Sequence, residues 1–210
     1  AASDVYKRQD TFQSDGLKKI VREMLRLTGD KLEWFPAAQR LHHAERSGLL
    51  HHTTSMLNLA RHVVAAYPFL NAELLYAGVI LHDLCKTTEM ISDETGSVSD
   101  YSADGLLIGH LVRGVARIEE AAKNVGVSGE IVLLLEHMVL SHHSIPEYGS
   151  PKAPMFPEAE VLARIDDLDA KMNEMQGILS RVPEGAFSEK VWSLDRRIYH
   201  PKYQEIDGAE

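Results

Sequence analysis

The sequence predicts an all-α protein, a helical bundle with a metal site in its core. Three observations lead there. Apolar residues recur at three- and four-residue spacing almost throughout the chain. No stretch alternates convincingly enough to be a strand. Histidines and aspartates recur inside these helical runs or at their ends.

The elements follow in order. Residues 1–15 open polar and unpatterned, as AASDVYKRQDTF, and are expected to be a flexible or non-native tail. Residues 16–28 place Leu17, Ile20, Val21, Met24, Leu25 and Leu27 mostly on one face, and Gly29 stops the helix. Pro36 is expected to open a short helix through AAQRLHHAER, closed near Gly48. A long helix over 49–67 turns Leu50, Met56, Leu57, Leu59, Val63 and Val64 inward and ends at Pro68.

Asn71 then caps a run over 72–85 that is apolar nearly all round, which predicts the central, most buried helix. Residues 91–102 read as a polar loop. Residues 103–125 read as one helix broken at Gly126, and 129–142 as another capped by Ser128. Four prolines and Gly149 over 144–157 predict an ordered lid or wall. Pro157, followed by Glu158 and Glu160, starts a helix to about 180. Residues 16–182 thus form one domain, and 183–210 form a C-terminal extension with one short amphipathic piece, FSEKVWSLDRR.

Composition narrows the function. With 22 basic and 31 acidic residues the formal charge is −9, which repels polyanions at long range. A phosphate substrate therefore needs local positive charge, from metal or a few placed cations. The lone cysteine, Cys85, excludes an intramolecular disulfide and fits a reducing compartment. No apolar run reaches the ~18–20 residues of a membrane span, and the start lacks a signal-peptide core. A cytoplasmic protein without a membrane partner is expected.

His82–Asp83, at the end of LLYAGVILHDLCK, is the most informative pair. An ionised aspartate in such an apolar setting is rarely buried unless paired or bound to metal. His110, His142, His143 and Asp166 add ligands from other segments, as in metal sites built in bundle cores. His51 and His52 cannot share a helix face, and spacing alone does not choose between them. Asp166 and Asp169 share a face near Leu162 and Ile165, whereas Asp167 points away and is expected to be solvated. His137, about 140° round a helix from His142, faces elsewhere. Lys86 lies one turn beyond His82, where it either reaches a substrate phosphate or serves as an ordinary helix C-terminal lysine. Imidazole and carboxylate together suit Mn²⁺, Fe²⁺, Co²⁺, Ni²⁺ or Zn²⁺ better than Mg²⁺.

These residues resemble the H…HD…D pattern of the HD-domain metal-dependent phosphohydrolases, here His52, His82–Asp83 and Asp166. HDLCK stands where that family often has HDxGK, so Cys85 replaces a glycine. The further His110 and His142–His143 resemble its two-metal branch. A closer resemblance is to the HD domain of YhaM-type 3′-to-5′ exoribonucleases, over about residues 16–202. It rests on PAAQRLHHAERSGLLHHTTSML, LLYAGVILHDLCKTTEM, LIGHLVRGV, HMVLSHHSIPEYGSPKAPMFPEAEVL, IDDLDAKM and GAFSEKVWSLDRRIYHP.

The resemblance implies His52 rather than His51 and Asp166 rather than Asp169. It also implies two divalent ions, Mn²⁺ first, and trimming of single-stranded RNA, with DNA as a further substrate, to nucleoside 5′-monophosphates. One metal would sit on His52, His82, Asp83 and Asp166, the other on Asp83, His110, His142 and His143. Asp83 and Lys86 would serve catalysis. Lys86, His43 in the His42–His43–Ala44 triplet, and Tyr148 would meet substrate. Family members usually carry an OB-type nucleic-acid-binding domain before the HD domain, for which this chain has no room. Alternatives are an HD-type nucleotide or cyclic-dinucleotide phosphohydrolase, and a non-catalytic metal-stabilised regulatory module.

Overall fold

The computed structural model describes residues 2–38 and 46–203. Its helices are α1 (Ala2–Arg8), α2 (Asp15–Thr28), α3 (Lys31–Trp34), α4 (Gly48–Ala66), α5 (Ala72–Leu81), α6 (Lys86–Glu89), α7 (Ala103–Leu107), α8 (Gly109–Asn124), α9 (Glu130–Ser141) and α10 (Pro157–Leu179). Strands β1 (Met90–Ser92) and β2 (Val98–Tyr101) form one small antiparallel hairpin. The architecture is the predicted all-α bundle with this hairpin added. Among the described residues, no helix is long and apolar enough to cross a membrane.

Helix α5 sits at the centre, with Leu74, Leu75, Ala77, Gly78, Val79, Ile80 and Leu81 all buried. It packs on α2, α4, α9 and α10. The Asn71 side chain caps it by accepting from the Leu74 N–H at 3.1 Å. The buried Glu158 carboxylate accepts from the Asn71 N–H at 2.6 Å, tying the start of α10 to the start of α5. Helices α8 and α9 pack as an antiparallel pair through Gly114, where a Cβ would come within 2.6 Å of Val139 Cγ1. These contacts set the ends of α5 and α9 and the start of α8 around one point.

Several boundaries differ from the sequence reading. Within the predicted tail over 1–15, residues 2–11 are instead helical, and α1 and the turn after it bury Val5, Gln9 and Phe12. Two large apolar side chains were too few to show a period. The polar stretch 91–102 folds back as the hairpin, through a turn in which Asp93 Oδ1 accepts from the N–H groups of Thr95 at 2.9 Å and Ser97 at 3.3 Å. The helix expected over 103–125 is split by Gly109 at φ 77°. The central helix ends at Leu81, and a tight turn carries His82–Cys85 into α6. Helix α9 starts one residue past the expected point, with Gly129 rather than Ser128 at its N-cap. Pro36–Ala38 are not helical, and the remainder of the helix expected from Pro36 lies mostly outside the described residues.

Candidate metal centre

Four buried imidazoles converge with each Nδ1 already engaged. His82 Nδ1 lies 2.8 Å from the Val79 carbonyl and His142 Nδ1 lies 2.7 Å from the Val139 carbonyl. Each of these rings turns back onto the last turn of the helix it ends. His52, one turn into α4, sets Nδ1 2.7 Å from Asp169 Oδ2 on α10. His110, at the start of α8, sets Nδ1 2.9 Å from the Glu89 carboxylate at the end of α6. Such outer partners fix the orientation of each ring, so that each Nε2 points inward.

Asp83 divides its two oxygens between these rings. Oδ2 lies 3.4 Å from His82 Nε2 and 3.9 Å from His52 Nε2. Oδ1 lies 3.5 Å from His110 Nε2 and 3.6 Å from His142 Nε2. Asp166 Oδ1 closes the first group, 3.1 Å from His52 Nε2 and 3.9 Å from His82 Nε2. His143 joins the second, its ring centroid 5.2 Å from that of His110. Three combinations hold ligand atoms all within 4.8 Å of one another: Asp83, His110, His142 and His143; His52, His82 and Asp83; and His82, His142 and Asp166. All seven predicted ligands are thus brought together.

The donor set fits divalent cations. Asp83 Oδ1, His110 Nε2 and His142 Nε2 are buried without a hydrogen-bond partner. Three orphaned buried atoms facing one another are costly unless something binds them. The charge balance agrees. Asp83, Asp166, Asp169 and Glu89 bring −4 and Lys86 +1, so these groups sum to −3, and two divalent ions would turn the sum to +1.

The electrostatics follow from burial and neighbours. Burial pushes Asp83 upward, but Lys86 and His82 outweigh it and hold the carboxyl well below its usual range. Asp166 is likewise held low, burial being outweighed by its hydrogen bond to His52 and by His82. Burial would lower His52, yet its bonds to Asp166 and Asp169 raise it to about 9. Burial lowers His142 to about 3, and also lowers His82 and His143. Lys86 Nζ donates to Asp83 Oδ2 at 2.7 Å. Burial disfavours its charge, but Asp83 and Asp166 raise it.

The centre opens into a cavity of about 640 Å³, whose wall includes Lys86, Tyr101, His110, His142, His143, Ile145, Arg164, Asp166, Lys171, Ser193 and Leu194. His51 is exposed, and Asp167 pairs with Lys171 at 2.6 Å on the surface. His137 faces elsewhere, its Nε2 accepting from the Met155 N–H at 3.0 Å. His43 and its neighbours lie outside the described residues. Tyr148 ends a 3-10 turn, Pro146–Tyr148, in the proline-rich wall.

Two residues behind the ligands were not assigned by the sequence. Asp169 accepts from His52 and also bonds the Ser55 hydroxyl. Its signal was present, since it shares the Asp166 face. Glu89 had none, because its placement depends on the turn between α5 and α6.

A family model described as "HD domain" matches residues 49–171, a span that contains all seven predicted ligands. The chain is 45% identical over 197 residues to a "3'-5' exoribonuclease YhaM" of Geobacillus sp. (strain WCH70), covering 93% of this chain and 60% of that protein. It is 43% identical over 196 residues to the protein of the same name in Bacillus subtilis (strain 168), covering 92% and 61%. To that of Listeria monocytogenes serovar 1/2a it is 44% identical over 195 residues, with the same coverage. The chain therefore spans about 60% of the length of the curated relatives it matches. No solved structure matches it. With the family match covering more than half of its residues, and the histidine–aspartate pair at the centre of the bundle, this chain belongs to the HD domain family.

Proposed function

We propose that this chain is the hydrolytic module of a metal-dependent 3′-to-5′ exoribonuclease, releasing nucleoside 5′-monophosphates from single-stranded RNA. The observation that carries the reading is the division of Asp83 between two groups of inward-facing imidazoles, with three of the buried donor atoms unsatisfied. The names of the relatives supply the substrate class.

His52, His82, Asp83 and Asp166 would hold one ion, and Asp83, His110, His142 and His143 the other. Mn²⁺ is the ion we expect from this mixed nitrogen and oxygen donor set. Two such ions would supply Lewis-acid polarisation of the phosphoryl oxygens and lower the pKa of an attacking water. The protein's own share is positioning. Asp83 and Asp166 stay ionised at neutral pH, and His82 and His142 stay neutral with Nε2 turned into the centre. Lys86, buried beside Asp83 at the cavity wall, would steady the charge that builds on the phosphoryl group once Asp83 is otherwise engaged. His143, less buried than the other rings, sits where the centre meets the cavity and so where the terminal nucleotide would arrive. His43 and Tyr148 remain proposed substrate contacts, and the cytoplasm the proposed compartment.

The test is incubation of the Mn²⁺-loaded chain with a 5′-labelled oligoribonucleotide, an oligodeoxynucleotide, nucleoside triphosphates and a cyclic dinucleotide. A ladder shortening one nucleotide at a time, with 5′-monophosphates as product, is expected on RNA. Activity confined to nucleotides, or none with both ions bound, refutes the proposal.

A further inference from the structure

We propose that the C-terminal segment from Phe187 to Tyr203 is a stacking platform for single-stranded nucleic acid, holding the nucleotides upstream of the end that enters the metal centre. This rests on the phosphodiesterase reading above, and it adds the path by which an acidic protein grips a polyanion. The segment lies beyond the residues matched by the family model.

The segment is a folded hairpin-like strap. Phe187 faces Tyr199, and Val191 faces Arg196, across antiparallel bridges. The Ser188 N–H donates to the Ile198 carbonyl at 2.8 Å, and the His200 N–H to the Ala186 carbonyl at 2.9 Å. Ile198 and Ser188 are buried beneath it. Near the tip, the Ser193 hydroxyl bonds Glu174 of α10, which fixes the strap beside the catalytic cavity. Ser193 and Leu194 line the same cavity as His143 and Asp166.

Its exposed side chains are aromatic and basic. Phe187 is 56% exposed, Trp192 81%, Tyr199 44% and Tyr203 88%. A single exposed ring is ordinary, but four fall within 17 residues here. The Phe187 and Tyr199 rings sit 4.9 Å apart, tilted by 46°. Arg197 lies over Phe187 at 5.4 Å, steadied by its Nε donating to the Ser188 carbonyl at 2.8 Å. Lys190 lies 4.8 Å over Trp192 and also pairs with Asp195 at 2.5 Å, an exposed contact of little strength.

Over residues 181–203, Arg181, Lys190, Arg196, Arg197 and Lys202 outnumber Glu184, Glu189 and Asp195 by two, in a chain whose formal charge is −9. Exposed rings beside cations are what a sequence-tolerant single-strand site requires, since every base has a face to stack and every linkage a charge. An apolar protein partner would have to bury Lys190 and Arg197, whereas phosphates would meet them.

The test measures binding apart from catalysis. Phosphorothioate oligouridylates of 4 and 12 nucleotides, labelled at the 5′ end, are titrated with the Mn²⁺-loaded chain and followed by anisotropy. The 12-mer should bind more tightly than the 4-mer. The variant Phe187→Ala/Trp192→Ala should raise the Kd of the 12-mer about tenfold or more, and so remove most of the gain with length. Arg197→Ala should reduce the slope of log K against log salt by about 0.7. Thermal melting of each variant checks the fold. A double variant that melts like the parent and binds the 12-mer within twofold of it overturns the platform, as does a parent with no gain with length. So does a loss of self-association in sedimentation with Kd unchanged, which would make this face a protein contact. Hydrolysis of bis(p-nitrophenyl) phosphate, which has no second nucleotide, reads the metal centre separately.

Discussion

Glu89 offers the sharpest test of how the centre is built. Its carboxylate lies 2.9 Å from His110 Nδ1, and Oε1 also accepts the His110 backbone N–H at 3.2 Å. His110 enters just after Gly109, whose φ of 77° breaks the helix, so little else fixes its ring. Glu89→Ala removes that partner and leaves a buried Nδ1–H without an acceptor. Losing the outer partner of a ligating histidine costs about 10–100-fold in metal affinity, or about 1.4–2.7 kcal/mol. The penalty for one unsatisfied buried donor, about 1–3 kcal/mol, gives the same range independently.

Calorimetric titration of the metal-free protein with Mn²⁺ should resolve two binding steps. In Glu89→Ala only one should weaken, because Glu89 touches the group around His110 and not the one around His52. Glu89→Gln keeps an acceptor and should recover most of the loss. Asp169→Ala should move the other step through His52. If Glu89→Ala leaves both steps within twofold of the parent, or weakens them equally, the assignment of Glu89 to one of two sites is wrong.

Four further outcomes follow from the same geometry. Asp83→Ala should abolish both steps and lower kcat/KM by at least about a hundredfold, whereas retained metal with unchanged hydrolysis would falsify the scheme. Lys86→Ala leaves the buried Asp83 carboxylate without its cation, which should destabilise the metal-free protein by about 3–5 kcal/mol; Mn²⁺ should then raise the melting temperature more in the variant than in the parent. His52 is raised from 6.5 to about 9, so its contribution to metal-free stability is complete below pH 6.5 and is lost as pH rises towards 9; denaturant melts across that window should show the fall, and Mn²⁺ binding at pH 7.5 should release about one proton, read from calorimetry in buffers of different ionisation enthalpy. Gly114→Ala drives a methyl into Val139, a stiff β-branched neighbour, and should cost about 1–3 kcal/mol in a thermal melt.

Much of this was legible in the residues, and the gaps have physical causes. The central helix announced itself because a run apolar on every side can only be buried, and Asp83 at its end then had to be compensated. The hairpin after α6 was hidden because ISDETGSVSDYS carries little apolar content, and its turn is made by Asp93 bonding its own backbone. The split at Gly109 was hidden for a related reason. Glycine is tolerated within a helix, and only the need to bring His110 onto Glu89 selects the left-handed conformation there. Asp169 was legible as a neighbour of Asp166 on one face. Which of the two faces the cavity, and which stands behind His52, depends on how α10 is rotated against α4, and that is fixed by packing rather than by period.

The division of labour around Asp83 also explains how an acidic protein could act on a polyanion. Of the four carboxylates that build the centre, Asp83 and Asp166 are aimed into it, and Asp169 and Glu89 are spent on histidines. Further out on the cavity wall, Asp167 pairs with Lys171 and Glu174 bonds the Ser193 hydroxyl. With cations bound, the cavity floor would change sign while the rest of the surface remained negative, so attraction would be confined to the place where hydrolysis occurs. The proposed strap provides the second positive region, next to the first, and stacking on its rings needs no long-range field. The two contributions are separable. Removing the ions should abolish attraction at the centre but leave the residual binding of long oligonucleotides dependent on Trp192 and Phe187. Anisotropy with the 12-mer in the presence of a chelator would measure that remainder. A remainder indifferent to both rings would mean that the metal centre alone holds the substrate.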